Sequence, residues 1–528
     1  MDMIYTDADR RELGVLHRYD LDMAFGADEN DFSLTLARAD HCCAGGAFVF
    51  AEGTDLGGII DSVRSKNDSD SVIYTGRTWY GMLNSRVILP LQDGEQAAGK
   101  LRRLPKGYTE LDYIETTGTQ YVDTGFVPNQ DTRIVCEFLY KGGNGIYGAR
   151  STVSTRNFSV RVINGYWQMG YGDGVASGTI PSDTANWHIA DQNKNSLYID
   201  GQLVVTREYV PFSAPHPIAI GAIKAGSMYY GEGRYRSCQI YDDGVLVRDL
   251  VPCLNAEGLA GMFDLVNGSF HRGAGSSALE IGEIIQTTDV IVPGSDENGN
   301  SLLGVYLVVT GDANRCIAML LERMNLSYLF DAAEHASGIL INKYRFPRYC
   351  KGYDGIHAML AAAGARLHCE CKNGRVTLSA VPVVHHSEAA LHGAVRLDAS
   401  RIWHRVNHLV CLGQGELAAR TVLHLYADAD GRISTVQTLF GADEIADVYD
   451  NANASDDDLE KNGRSKLADL QQTAAADAVM QATDAGMNIG DTIDATDEIT
   501  GISATVTITK KIVTVRDGQA TIDYKAGV

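Results

Sequence analysis

Apolar and polar side chains alternate through residues 13 to 25 and again through 32 to 38, and the polar GADEND between them predicts a β-hairpin with an acidic loop. The alternation continues through AFVFAEGTDLGGIIDSVRS and SVIYTGRTWYGMLNSRVILPL, with NDSDS at Asn67 to Ser71 as the turn between the last two strands. Residues 92 to 103, QDGEQAAGKLRR, break the pattern and read as a linker. From Leu104 to about Gly282 short alternating strands such as RIVCEFLY, NFSVRVINGYWQMGY and NSLYIDGQLVV are separated by Gly and Asn turns, which predicts an antiparallel sandwich without helix.

After Glu283 the period changes. TDVIVPGSDENGNSLLGVYLVVTG reads as a hairpin, and ANRCIAMLLERMNLSYLF has the apolar spacing of a helix. KGYDGIHAMLAAAGARL predicts a second helix, with Asp354 as N-cap and an end near Gly364, running into the hairpin HCECKNGRVTLSAVPVV. RVNHLVCLGQGELAARTVLHLYADADGRIS returns to strands with a turn at DADG. A third helix is expected over 455–481, capped by Ser455 with Asp456 to Asp458 in its first turn, before a closing run of strands.

Composition agrees with a β-rich globular chain of several domains: 528 residues, 45% apolar, with 55 Gly and 25 Tyr. The net charge of −22, from 67 acidic against 45 basic residues, argues against a general nucleic-acid binder or an anionic membrane surface. Residues 1 to 15 lack an apolar targeting segment and no later run reaches the length of a membrane-spanning helix, so a soluble chain made in the cytoplasm is expected. The ten cysteines show neither paired zinc-ribbon spacing nor the density of a disulfide scaffold. Cys369 and Cys371 share one strand face and supply only two of the four ligands a structural zinc needs.

Several motifs hold candidate chemistry. Glu110, Asp112 and Glu115 in YTELDYIETTGTQYVDTG have the E-x-D-x-x-E spacing of one family of β-sandwich glycoside hydrolases. In that family the motif lies on a central strand, whereas here it begins just after the linker, and Glu115 points away from Glu110 and Asp112 unless a bulge intervenes. The expected reading is an exposed first strand with Leu111 and Tyr113 packed inward. DENGNS at 296–301 has Ser301 and Leu307 where a calcium loop needs Gly and a bidentate acid, and reads as a hairpin turn. HHSEAALH has Ser387 and Leu391 where a zincin needs histidines, which leaves His385, His386 and His392 in a solvated linker. No nucleophile elbow, P-loop or dinucleotide fingerprint is present, so no catalytic residue, metal or cofactor is assigned.

Three blocks, GRTWYGMLNSRVI, RVNHLVCLGQGELAARTVLHLYADADGRI and IGDTIDATDEITGISATVTITKKIVTVRDGQATIDYKAGV, together resemble the tail-tip hub proteins of long non-contractile (siphovirus) phage tails, a family related to contractile-tail baseplate hubs. The middle segment resembles laminin-G or concanavalin-like lectin modules, on LPKGYTELDYIETTGTQYVDTGFVPNQDTR, NWHIADQNKNSLYIDGQ and CQIYDDGVLVRDLVPCLNAEGLAGMFDLVNGSFH. The resemblance implies a mainly β fold with some α+β: hub β-barrel domains plus an inserted antiparallel jelly-roll sandwich. Residues 1–103 would hold the first part of the hub, 104–283 the inserted sandwich, 284–400 an α+β hub domain and 401–528 a second β-barrel with its helix.

The implied function is structural. A homotrimer would close or continue the tail tube of the virion, contact the distal tail, tape-measure and other tail-tip or fibre proteins, and meet phage DNA only in transit, where an acidic lining would keep the genome from sticking. Many relatives carry a wall-degrading domain after the hub, and this chain stops where that domain would begin. Of the sandwich aromatics Tyr147, Tyr166, Trp167, Tyr171, Trp187, Tyr229 and Tyr230, the stretch GYWQMGYGDG offers Trp167, Tyr171 and Asp173, with Tyr147, as a carbohydrate-binding set for a host-surface glycan. Trp187 and Tyr198 match positions that are usually core in such modules. The alternatives are a glycan-binding adhesin and a wall-polysaccharide glycoside hydrolase.

Overall fold

The computed structural model describes residues 2–26, 28–152, 155–387, 395–401, 405–452, 454, 456–471, 474–482, 486–496 and 503–527. Strands dominate and helices are few, as the alternation predicts. The chain forms two compact units: one continuous, Ala97–Ile291, and one built from Met1–Gln96 together with Val292–Val528. The continuous unit starts before the expected residue 104 and ends after 283, because its flanks pair. Lys100–Leu101 runs parallel to Thr287–Thr288, and Arg102 meets Asp289 at 2.9 Å. Strands of two residues leave no period in the sequence, which is why this stretch reads as a linker.

Within Ala97–Ile291 two antiparallel sheets pack on one core. One contains Thr132–Gly143, His188–Asn193, Met228–Asp242 and Val245–Leu254; the other contains Gly145–Ala149, Asn157–Ile163, Tyr166–Gly172 and Val175–Pro181. Met228–Asp242 serves both, pairing with Ala222–Lys224 at its start and with Thr132–Gly143 beyond, where register shifts at Glu137/Phe138 and Tyr140/Gly142 mark the bend. The turn at Asn164 and Gly165, both at positive φ, joins Asn157–Ile163 to Tyr166–Gly172 and sets their register. Inward residues alternate on each strand: Ile134, Cys136, Phe138, Cys238 and Ile240 from the first sheet meet Phe158, Val160, Trp167, Met169 and Tyr171 from the second.

In the discontinuous unit, the opening strand Asp20–Gly26 pairs with Asp31–Ala37 on one side and with the closing strand Ser503–Arg516 on the other, Leu21 opposite Val515. The closing strands thus join the sheet of the opening strands, whereas the sequence placed them in a second barrel. A pairing across nearly the whole chain has no local signature. The third helix is Asp456–Leu470, not 455–481; Ala474–Ala482 is a strand between Val395–Arg401 and Gln519–Gly527. Two strand partners override the helix propensity of its alanines. Ser455 lies outside the described residues.

That helix covers a small sheet in which His408–Leu412 pairs with Val422–Ala427 and, in parallel, with Ala446–Asp450. Leu459 and Leu467 pack on Leu409, Cys411 and Leu425, and Gly463 permits the approach, since a Cβ there would lie 2.6 Å from Cys411 Sγ. Helix Ala313–Arg323 is capped by Asp312, which accepts from Asn314 N at 3.0 Å. Helix Gly352–Ala361 begins before Asp354, so that residue sits in the first turn rather than at the N-cap. Its amide donates to Asn84 Oδ1 at 3.3 Å, a cap supplied from another helix. The hairpin Ala365–Lys372/Arg375–Pro382 turns at Asn373 and Gly374, both at positive φ, and buries Cys369 and Cys371. His385–His386 forms a short strand beside Thr492–Thr496, with His385 Nε2 2.9 Å from Asp494, rather than a solvated linker; His392 lies outside the described residues. Asp296 closes its turn by accepting from Asn298 N and Asn300 N.

Candidate functional site

The E-x-D-x-x-E carboxylates are held apart as three separate ion pairs. Strand Thr109–Glu110 breaks at Asp112 and resumes as Ile114–Thr117. Glu110 is buried and meets Lys100 Nζ at 2.6 Å and Arg103 Nη2 at 2.6 Å. Asp112 accepts from Arg236 Nε at 3.1 Å and Nη2 at 3.0 Å. Glu115, also buried, takes Arg234 Nε at 2.7 Å and Lys141. The expected exposed strand is therefore corrected: Leu111 is in the core, but the opposite side is covered by cations. Tyr113 is half-buried against Trp187, under the Arg234 guanidinium at 4.6 Å.

Burial pushes the Glu110 and Glu115 carboxyls up, yet hydrogen bonds from Arg103 and Lys100 to the first, and from Lys141 and Arg234 to the second, outweigh it and hold both below their ordinary value. Each is thus the wrong group to donate a proton near neutral pH. A group lowered in the folded state adds stability above its unfolded pKa of about 4.3, and that stability is lost as pH falls through the folded value. Sandwich unfolding followed by circular dichroism should therefore shift to lower denaturant from about pH 5 to about pH 3. Glu110→Gln should cost about 2 kcal/mol at neutral pH, less than a fully buried pair because Lys100 and Arg103 keep 45% and 38% side-chain exposure. Unchanged stability with loss of a hydrolytic activity would contradict that assignment.

The proposed sugar platform needs a larger correction. Trp167 is 1% exposed and Tyr147 and Tyr171 are 0%, all inside the sandwich. The Trp167 ring meets Phe138 at 5.7 Å and His188 at 5.4 Å, edge to face, and Tyr171 Oη donates to Gln130 O at 3.0 Å. Asp173 is exposed and accepts from Arg156 N at 3.2 Å, so the structure does not bring it together with the three rings on an open face. Trp187 and Tyr198, read as core, are half-buried instead. They stand outside because the register puts His188, Leu197 and Ile199 inward, and Arg236 lies 3.8 Å over the Trp187 ring.

Because side chains alternate, the strands that bury Trp167, Met169 and Tyr171 in the core turn Gln168 and Gly170 to the opposite face of their sheet, where Gln168 keeps 8% and Ser159 and Ile223 1% exposure. Register places Ser177, Gln168, Arg161 and Gly145 in one cross-strand row, and Gly170, Ser159, Gly148, Ile223 and Tyr229 in the next. Gln168 Nε2 donates to Ser177 Oγ at 2.8 Å while its carbonyl takes the Arg161 Nε–H. Arg150, two residues beyond Gly148, lays its guanidinium over the Tyr229 ring at 4.4 Å. Ser159 Oγ donates to Asn157 Oδ1 at 2.7 Å, and the Asn157 amide occupies the space a Cβ on Gly170 would need, 2.4 Å away.

Two tyrosines mark the ends of this face, Tyr166 at 43% and Tyr229 at 36% exposure. Both belong to the aromatic inventory of the sequence; Gln168, Arg161, Arg150 and Ser177 do not, and the only sequence signal for them is that they alternate with the core aromatics. Amide, hydroxyl and guanidinium groups between aromatic rings are the set that engages sugar hydroxyls and the apolar face of a sugar ring.

Among the described residues no group of three or more His, Cys, Asp or Glu side chains could hold a metal ion, and no helix is long and apolar enough to cross a membrane. No protein-family model and no curated protein matches the chain. Among solved structures the chain is similar to a prophage tail protein from Listeria monocytogenes, at 8% identity and TM-score 0.35, covering 99% of this chain and 94% of that one. It is also similar to a tail protein from Neisseria meningitidis, at 12% identity and TM-score 0.23 over 55% and 83% of the two chains, and to a prophage tail protein from Shewanella oneidensis, at 8% identity and TM-score 0.23 over 78% and 96%.

Proposed function

We propose that the chain is a structural hub of a phage tail tip that closes or continues the tail tube and carries its sandwich as a sugar-binding module toward the host surface. The observation that carries this reading is the meeting of the first and last of the three hub-like blocks in one sheet. Ser71–Thr78, which runs into the first block at Gly76, and Ser503–Arg516 of the last are separated in that sheet only by Asp31–Ala37 and Asp20–Gly26. A second support is the parallel pairing of Lys100–Leu101 with Thr287–Thr288, which brings the entry and exit of the sandwich side by side. An insertion with adjacent ends adds little closure entropy to its host.

In this reading the protein is a homotrimer in the virion, joined to the distal tail protein, the tape-measure protein and other tip or fibre proteins. Its work is mechanical and adhesive rather than catalytic. Electron microscopy of the purified full-length protein should show a threefold ring with three peripheral lobes, and gold-labelled antibody should decorate the tail tip of virions. A protein that stays monomeric and leaves the tip unlabelled would overturn it.

A further inference from the structure

One cross-strand pair of the sandwich core is made of two cysteines. The strands Thr132–Gly143 and Met228–Asp242 lie side by side within the first sheet, each with a further strand on its other side, and their register sets Cys136 directly opposite Cys238. Among the described residues no other two cysteines face each other in this way. Both side chains point into the core at 0% exposure, and both are free thiols.

Directly opposed residues of antiparallel strands have Cα atoms about 5.5 or 4.5 Å apart, according to whether the pair is hydrogen-bonded. A disulfide needs Cα atoms about 4.4–6.8 Å apart, so either kind of pair is within range. Their Cβ atoms, about 4.5–5.5 Å apart in such pairs, have to close by roughly an ångström. The two thiols are already in hydrogen-bond contact, and burial, helped by that contact, pushes the Cys238 thiol well above its ordinary value. A protonated, enclosed thiol is inert, so the pair reacts when the sandwich opens or before it has closed.

We propose that Cys136 and Cys238 form a disulfide across the centre of the first sheet when the sandwich folds or opens in oxidising surroundings. The oxidant is a low-molecular-weight disulfide such as oxidised glutathione. One cysteine thiolate attacks it and releases a glutathione thiol; the second attacks the cysteine sulfur of the mixed disulfide and releases the other, so the two protons and two electrons of the protein thiols leave with two glutathione molecules. The bond closes a loop on the order of 100 residues, which restricts the unfolded chain far more than the folded one. It stabilises the sandwich where such disulfides prevail over thiols, outside a cell rather than in a cytoplasm. The bond forms whether or not the sandwich binds sugar.

The test holds the full-length protein in oxidised glutathione at a denaturant concentration just below the unfolding transition, where the sandwich opens reversibly, then alkylates it and cuts it with trypsin. Cleavage after Arg133, Lys141, Arg236 and Arg248 puts the two cysteines in separate peptides, residues 134–141 and 237–248, neither with a second cysteine. The expected product is one linked species of these two peptides, split by reductant. The oxidised sandwich, followed by proteolysis inside 97–291, should unfold with an equilibrium constant roughly a hundred- to a thousand-fold below that of the reduced protein. The gain should persist in Cys42→Ser, which removes an exposed thiol, and vanish in Cys238→Ala. Should Cys238→Ala fail to fold, the peptide map of the unsubstituted protein decides. Recovery of both peptides as separate alkylated species, linkage of either to a different cysteine, or a linked protein no more stable than the reduced one overturns the proposal.

Discussion

Trp167→Ala should destabilise the sandwich by about 4 kcal/mol, the range for deleting a buried aromatic ring, and should act on binding only through unfolding. The indole is 1% exposed and wedged between Phe138, Tyr140 and His188, so truncation leaves a cavity between the sheets that neither can collapse to fill. Denaturant unfolding of the full-length protein, with proteolysis inside 97–291 as the local probe, checks it. Trp167→Phe keeps most of the volume and should cost about half as much. A Trp167→Ala protein of wild-type stability that no longer binds polysaccharide would return this residue to the surface role that the sequence suggested.

The second large effect is expected at Asp491. Its side chain is 1% exposed and accepts from three donors, Arg366 Nε at 2.6 Å and Val384 N at 2.9 Å on Oδ1 and Asn488 N at 2.9 Å on Oδ2, while His386 Nε2 stands 3.6 Å away without a hydrogen bond. The carboxylate ties the strand Ala365–Lys372 to the start of Thr492–Thr496. Asp491→Ala leaves the Arg366 guanidinium, 9% exposed, without its counter-charge and strands two backbone donors, for an expected loss of about 3–5 kcal/mol. Arg366→Met should cost less than Arg366→Ala, since a packed thioether replaces part of the removed stem. Thermal unfolding of the full-length variants gives the order; an Asp491→Ala protein within about 1 kcal/mol of wild type would show that water reaches the site and replaces the carboxylate.

Both effects turn on contacts that no local window of sequence contains. Asp491 looks like any acidic residue before a strand, and its partner Arg366 is 125 positions away. Glu110 and Glu115 were conspicuous for their spacing, yet spacing could not show that Lys100, Arg103, Lys141 and Arg234 close around them.

The amino-acid sequence by itself determined that this chain is strand-rich, that a sandwich interrupts a second body between about residue 100 and residue 285, and where its Asn-Gly and Asp-Gly turns fall. These are local matters of period and turn chemistry. Only the tertiary structure decided which phase of the alternation faces inward. In NFSVRVINGYWQMGY the aromatics and the polar residues alternate equally well either way; the turn at Asn164–Gly165 and the facing sheet put Trp167 and Tyr171 inside and Gln168 and Arg161 outside. A period of two carries no sign, and a shift of one residue exchanges every core position for a surface one, so the candidate binding face lay one residue away from the one that the sequence indicated.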